Sequence, residues 1–436
     1  MPLGVILVIL IVLLFSLLLG GFYVGLSLAS VGVFGLEVFG NMGKAVGATL
    51  FNSINAYVLA AIPFFIFMGN IVLKTGLSQR LYQGVSQWTR VIPGGLTHSN
   101  IVSSAIFAAV SGSSVATAAT IGTVAYPEQT KRGYDASLVT GSLAAGGTLG
   151  ILIPPSVNMI VYGAFVGASV GRLFAGGIIP GILLALLFMG FIASRAVLNK
   201  SLGPSPERIN RRYFIEALIA FKDIWPMLLI IFVIMGGIYG GVMTATESAA
   251  ISTVLALVLG FLVGKVNYTI VKDAALSALR TTAMILLIVV GAHLLGNAMS
   301  MLRIPATLAR MVEAAGLGPL AVWGVVIALY LILGCVMDTL AMILVTLPIT
   351  YPLIVTFAGF NPIWFGVQLV ILCEVGLLTP PVGMNLFVIQ GIAKGIKFET
   401  IIKGSMPFFL ILLAGIALFT FVPDIILILP NYMLGD

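Results

Sequence analysis

Charge is scarce in this chain. Only 8% of its 436 residues are Asp, Glu, Lys or Arg, whereas soluble domains carry roughly a quarter. That scarcity excludes a water-exposed globular surface. With 60% hydrophobic residues and a mean hydropathy of +1.19, lipid must be the solvent. Cysteine is limited to Cys335 and Cys373, both in apolar stretches, which excludes a disulfide framework. Histidine is limited to His98 and His293, isolated and without HExxH spacing, and both read as structural. No serine has a histidine partner for nucleophilic catalysis, and no GxxxxGK[ST] phosphate loop is present. ATP hydrolysis is therefore not encoded, and any work done must draw on an ion gradient. The alternating segments of a transmembrane barrel, about ten residues each, are also missing. The net charge of +7 carries no nucleic-acid signal, because basic residues in a membrane protein mainly set topology.

Long apolar runs are what the chain does have. Full spans are expected at 3–20, 22–40, 56–73, 135–168, 173–194, 225–241, 247–264, 276–299, 364–393 and 405–428. The first lacks a basic leader and is too long for a signal-peptide core, so it reads as a true span. Segment 94–126 is apolar but broken by "SGSS" at 111–114. It is too short for two crossings of about 20 residues plus a turn, which points to a re-entrant hairpin. Segment 318–355, centred on "MDTL" at 337–340, fits either a hairpin or two spans by length. Following the chain from side to side puts 17 of the 21 Lys and Arg residues on one face and 4 on the other. The rich face is expected to be cytoplasmic, with both termini outside. The polar stretch 199–223 suits a cytoplasmic connector with a surface-lying amphipathic helix.

Two breaks repeat. "GILIPPS" begins at Gly150 and "GLLTPPVG" at Gly376, an offset of 226. At offsets within one or two residues of this, Ser113 and Ser114 match Asp338 and Thr339, "YP" matches at 126 and 351, and "GN" matches at 69 and 296. Asn158 and Asn385 follow the two proline pairs. Each half crosses an odd number of times, so the halves face opposite ways. Such inverted repeats characterise secondary transporters, whose sites lie at discontinuous helices near the midplane. The symmetry tips 318–355 towards a hairpin. The fold class expected is thus all-α and polytopic, with inverted-topology repeats, two re-entrant helical hairpins and two broken helices.

The breaks suggest chemistry. A double proline removes two backbone donors and ends the first half-helix. Carbonyls before it are freed to face a cation, while the next half-helix offers free N–H groups to an anion. Hard oxygen ligands of low total charge suit Na⁺. Two cation sites are expected. One draws on Ser111, Gly112, Ser113, Ser114, Gly147, Thr148 and Gly150, the other on Asp338, Thr339, Gly376 and Thr379. An anionic substrate is expected between them, against Pro154, Pro155, Ser156, Asn158, Pro380, Pro381 and Asn385. Arg303, just after the eighth span, either attracts that anion or is a surface arginine. Glu374 stands at the position equivalent to Thr148 and either lines the site or binds a partner helix. The small residues of 111–120 also suit close helix packing. An intramembrane protease would need Asp338 and Glu374 as an acid pair, and the mirroring of these positions by Ser113 and Thr148 argues against it.

Together, "GILIPPS", "GLLTPPVG", "SGSSVATAATIG" and "MDTLAMILVTLPI" resemble the large membrane subunit of TRAP (tripartite ATP-independent periplasmic) transporters, over essentially the whole chain. The resemblance implies a bacterial or archaeal inner-membrane protein that takes up organic acids such as C4-dicarboxylates or sialic acid. It implies Na⁺ coupling, a separate small membrane subunit, a periplasmic substrate-binding protein, and an elevator-type fold of the ion transporter superfamily. On that basis 1–55 and 224–275 are expected to be scaffold. Residues 56–198 are expected to form a first transport repeat, with hairpin 94–126 and broken helix 135–168. Residues 276–436 are expected to form the second, with hairpin 318–355 and broken helix 364–393. The alternative is a stand-alone divalent anion/Na⁺ symporter of related fold.

Overall fold

The computed structural model describes residues 3–263 and 265–434. The outermost residues of the expected domains, and position 264 at the end of the expected seventh span, lie outside them. All regular structure among the described residues is helical.

The first half opens with α1 (Leu3–Leu19), α2 (Val24–Phe34, continued by a π-helical turn at Gly35–Phe39) and α3 (Lys44–Ile54). A 3₁₀ turn leads into α4 (Ala61–Lys74), followed by α5 (Leu77–Thr89). Then come α6 (Leu96–Ser111) and α7 (Ser114–Lys131), α8 (Ala136–Leu152) and α9 (Val157–Val166), and α10 (Val170–Leu198). The second half has α11 (Arg211–Tyr239), α12 (Ala245–Leu262), α13 (Tyr268–Met301) and α14 (Ile304–Ala314). It continues with α15 (Pro319–Gly334) and α16 (Thr339–Tyr351), α17 (Pro362–Leu378) and α18 (Met384–Ile392), α19 (Phe398–Phe421) and α20 (Asp424–Leu434). Eight helical segments among the described residues are long and apolar enough to cross a membrane.

The repeat is visible element by element. Helices α4, α5, α6–α7, α8–α9 and α10 are followed in the same order by α13, α14, α15–α16, α17–α18 and α19. Both broken helices start from the same device. The Asp135 carboxylate accepts the Leu138 N–H at 2.8 Å, and the Asn361 amide oxygen accepts the Ile363 N–H at 2.8 Å. Each satisfies a donor that a helix N-terminus leaves free. Both proline pairs then break their helix. Each second half-helix crosses to the opposite repeat: α18 packs on α7 and α8, and α9 on α16 and α17. The two hairpins are thereby locked into one body with both breaks. Helix α4 packs on both α12 and α13, and α2 packs on α13.

Ion pairs gather the basic ends of several helices on one face. Lys74 at the end of α4 lies 3.9 Å from Asp273 near the start of α13, and Arg80 of α5 lies 3.9 Å from Asp223 of α11. Arg90 reaches Glu207 at 3.3 Å and Glu216 at 2.5 Å. At the base of the first hairpin, the Gln129 amide donates to Tyr82 Oη at 2.9 Å, and Asn100 Nδ2 donates to Ser142 Oγ at 2.9 Å. These bonds tie α5, α6, α7 and α8 together, each worth about 1 kcal/mol.

Three expectations change. The connector is shorter than 199–223, because its amphipathic part runs straight into the span as one helix, α11. The last expected span, 405–428, is two helices; Pro423 has no N–H to continue α19, and α20 turns back onto α10 and α17. The short helices α5 and α14 were not among the expected spans. On α5, Leu77, Leu81, Tyr82 and Val85 are buried while Gln79, Arg80 and Gln83 face outward, the pattern of a helix lying along an interface.

Candidate functional site

Each hairpin tip sits on the break of its own repeat. In the first, Gly112 ends α6 in a left-handed conformation with φ +60°, which glycine adopts without strain. Ser113 then caps α7, its hydroxyl accepting the Ala116 N–H at 3.4 Å. The Ser114 hydroxyl donates to the Thr148 carbonyl at 3.2 Å, joining tip to broken helix. A side chain at Gly150 would lie 2.6 Å from the Ser113 carbonyl oxygen, and one at Gly112 would lie 3.1 Å from the Pro155 carbonyl oxygen. Glycine at 150 therefore serves close backbone approach. The expected pairing of Ser111–Ser114 with the end of α8 is present.

The second repeat reproduces this with different atoms. A side chain at Gly376 would lie 2.8 Å from the Gly334 Cα, so α15 and α17 touch backbone to backbone. The Cys335 thiol lies 3.4 Å from the Pro380 carbonyl, and the Cys373 thiol lies 3.9 Å from the Thr339 carbonyl. Asp338 caps α16, accepting the Leu340 N–H at 3.2 Å, and its side chain remains accessible. The Thr379 hydroxyl donates to the Val375 carbonyl at 2.7 Å and so closes its own helix end.

The two tips face one cavity of about 370 Å³. Ser111–Ser114, Asn158, Asp338 and Thr339 all line it. Its other wall comes from Gly69, Asn70 and Leu73 of α4 and from Ser277, Thr281, Met284 and Ile285 of α13. Leu73 adjoins Lys74, and Ser277 lies between Lys272 and Arg280, so the cavity lies towards the basic face. Asn158 is 2% exposed and its amide nitrogen has no partner. The cavity holds hydroxyls, carbonyls, one carboxylate and one free amide donor, a set suited to a small cation beside a polar solute.

Other expected residues lie behind the wall. Gly147, Thr148, Gly150, Pro154, Pro155 and Ser156 are buried in the first break, and Ser156 caps α9 by accepting the Met159 N–H at 3.3 Å. Gly376 is buried, whereas Pro381 is exposed, so the second break is the more open. Asn385 is fully buried, donating to the Ala144 carbonyl at 3.1 Å. It fastens α18 to α8 and does not line the cavity. Arg303 lines a second cavity, of about 720 Å³, with His293, Asn297 and Ser300. From Ile285 to His293 along α13 is about 12 Å at 1.5 Å per residue, so the two cavities are stacked towards opposite faces.

Sequence reasoning missed Thr117, whose hydroxyl bonds Ser111 Oγ at 2.9 Å and the Ser113 carbonyl at 2.8 Å. It also missed Asn70, Ser277 and Thr281. The available signal was a polar side chain recurring on one face of an otherwise apolar span.

Residues 7–425 match the family described as the DctM component of the tripartite ATP-independent periplasmic transporter. The C4-dicarboxylate TRAP transporter large permease protein of Pseudomonas aeruginosa is 34% identical over 391 residues, covering 89% of this chain and 90% of the relative. The isethionate TRAP transporter permease protein of Oleidesulfovibrio alaskensis is 35% identical, covering 87% of this chain and 59% of the relative. The sialic acid TRAP transporter permease protein of Haemophilus influenzae is 28% identical, covering 90% and 63%. The YdaH transporter of Alcanivorax borkumensis has a similar fold, with a TM-score of 0.57, 14% identity and 88% of each chain covered. With a family match over nearly its whole length, this chain belongs to the DctM family, the large membrane permease component of TRAP transporters.

Proposed function

We propose that this permease performs Na⁺-coupled uptake of an organic acid anion, a C4-dicarboxylate or a sialic-acid-like sugar acid, by elevator-type alternating access. The observation that carries this reading is the single cavity shared by both hairpin tips, with a second cavity stacked towards the other face. Ser111–Ser114 with the end of α8, and Asp338 and Thr339 with Gly376–Thr379, supply oxygen for two Na⁺ ions. Asn158 and the free N–H groups of α9 face the substrate carboxylate. Arg303 lies off this site, in the other cavity, where it draws the anion towards the entrance.

The basic face is cytoplasmic under the positive-inside rule, which makes the structure inward-open and both termini periplasmic. A periplasmic substrate-binding protein delivers the anion, and a small membrane subunit braces the scaffold. Chemistry on the substrate is not expected, since family members are transporter permeases.

Reconstitution tests the whole reading. The permease, small subunit and binding protein are placed together in proteoliposomes, and labelled succinate and N-acetylneuraminate uptake is measured. An inward Na⁺ gradient should drive accumulation, and omission of the binding protein should remove it. Accumulation by the permease alone would support the stand-alone symporter instead, and accumulation without Na⁺ would overturn the coupling.

A further inference from the structure

We propose that the N-terminal arm of α11 is a docking surface for anionic phospholipid, placed at the headgroup level of the cytoplasmic leaflet. The placement rests on the assignment of the basic face to the cytoplasm above. Helix α11 has 29 residues, so it runs about 43 Å at 1.5 Å per residue. Counted back from Tyr239, about 20 residues cross the hydrocarbon core and end near Ala220. Residues 211–219 therefore extend beyond the hydrocarbon, among the headgroups.

Apolar side chains on this arm stay open. Phe214 is 62% exposed and Leu218 is 77% exposed, with Ile215, Ile219 and Phe221 exposed beside them. The helical repeat puts these five on one side of α11, and Leu228 and Phe232 continue that side along the span. The opposite side is already taken by α5. There the Trp88 indole N–H donates to the Ala217 carbonyl at 2.9 Å, and the Tyr213 hydroxyl donates to the Trp88 carbonyl at 3.0 Å. A contiguous exposed apolar patch marks an interaction surface. This one runs without a break into the lipid-facing side of the span, which makes the bilayer its occupant.

Charge says which lipid. Arg211 and Lys222 lie within the same open arc, and Arg208 stands just before the helix. All three are exposed, and none forms an ion pair among the described residues. The acids of this stretch are engaged elsewhere, Glu207 and Glu216 with Arg90 and Asp223 with Arg80, and Glu216 also holds Arg212 at 2.6 Å. The arm is thus left with free cations on an apolar face. Long basic side chains lay their stems on apolar surface and lift their charge to the headgroups. An anionic leaflet offers a phosphate to each free cation and hydrocarbon to each apolar side chain. Because α5 is clamped to this arm and leads directly into the first hairpin, lipid bound here steadies the post from which that hairpin hangs.

The test reads lipid contact directly. Leu218→Cys, with Cys335 and Cys373 replaced by serine, is labelled with bimane and assembled with the small subunit. The complex is placed in vesicles of phosphatidylcholine and phosphatidylglycerol in equal amounts, with bromine on the acyl chains of one lipid at a time. Brominated phosphatidylglycerol should quench the label more strongly than brominated phosphatidylcholine. Replacing Arg208, Arg211 and Lys222 together by glutamine should abolish that preference and leave quenching by phosphatidylcholine in place. Equal quenching by the two lipids before that replacement overturns the proposal, and so does a preference that survives it. Quenching by neither lipid also overturns it, because the small subunit then covers the arm. If the triple variant does not fold, choline chloride supplies the second measurement. The preference should fade as salt screens the headgroups, and a salt-independent preference overturns the proposal. No Na⁺ gradient or substrate enters the measurement, so its failure is distinct from failure of the Na⁺-coupled reading.

Discussion

At Gly150 a single methyl group separates a seated hairpin tip from a displaced one. A Cβ there would lie 2.6 Å from both the Ser113 carbonyl oxygen and the Ser114 Cα, neither of which is a flexible side-chain end. Overpacking of this kind typically costs about 1–3 kcal/mol. Gly150→Ala is expected to lower the melting temperature of the purified protein and to reduce uptake at least tenfold. Gly47→Ala is the control, since nothing lies within 4 Å of a Cβ at that position; it should leave both unchanged. Asp338 calls for a different measurement. Its carboxylate is accessible to the cavity and caps α16 by accepting the Leu340 N–H, so Asp338→Asn preserves shape and removes charge. Expression and melting should be retained while the Na⁺ concentration needed for half-maximal uptake rises. An unaltered Na⁺ dependence would remove Asp338 from the ligand set.

The two breaks are equivalent in sequence and unequal in place. Pro154 and Pro155 are buried beneath the first tip, while Pro381 is exposed and Val382 is 37% exposed. Replacing Pro380 and Pro381 together by alanine restores two backbone donors and lets α17 run on into α18. Uptake should then be abolished in proteoliposomes although the chain still inserts and assembles; near-normal uptake would refute a broken-helix site. Both breaks were legible in the sequence because proline acts locally, and the first hairpin because "SGSS" interrupts a run too short to cross twice. What each break faces was not legible. Asn385 seemed placed for substrate, yet it donates to the Ala144 carbonyl, because α18 crosses to the other repeat. Nothing within a few residues of Asn385 encodes that crossing. The short helices α5 and α14 were hidden for a related reason. Their 13 and 11 residues show helical periodicity, but they are too short to span and too polar to stand out by hydropathy.

At the scale of the whole molecule, the two repeats surround their tips differently. Gly69 of α4 sits against the first tip, where a Cβ would lie 3.2 Å from the Ser111 Cα. The equivalent residue of the other repeat, Gly296 of α13, does not touch the second tip; its nearest neighbours are Phe165 and Pro348. The surrounding cavities follow the same rule. Asn70 lines the one towards the basic face, and its counterpart Asn297 lines the one towards the opposite face. Val336, the second-tip residue in register with Ser111, is 68% exposed. In an inverted repeat, exchanging the conformations of the halves generates the opposite-facing state. Gly296 should then receive the second tip as Gly69 now receives the first. With Cys335 and Cys373 replaced by serine, the pair Gly296→Cys and Val336→Cys should form a disulfide when the transporter is held outward-facing. Such a bond needs Cα atoms within about 7 Å. The pair should stay reduced in the arrangement described above. A pair that never crosslinks, in a variant that still transports, would mean that the second tip moves to some other station and that the two halves do not exchange roles.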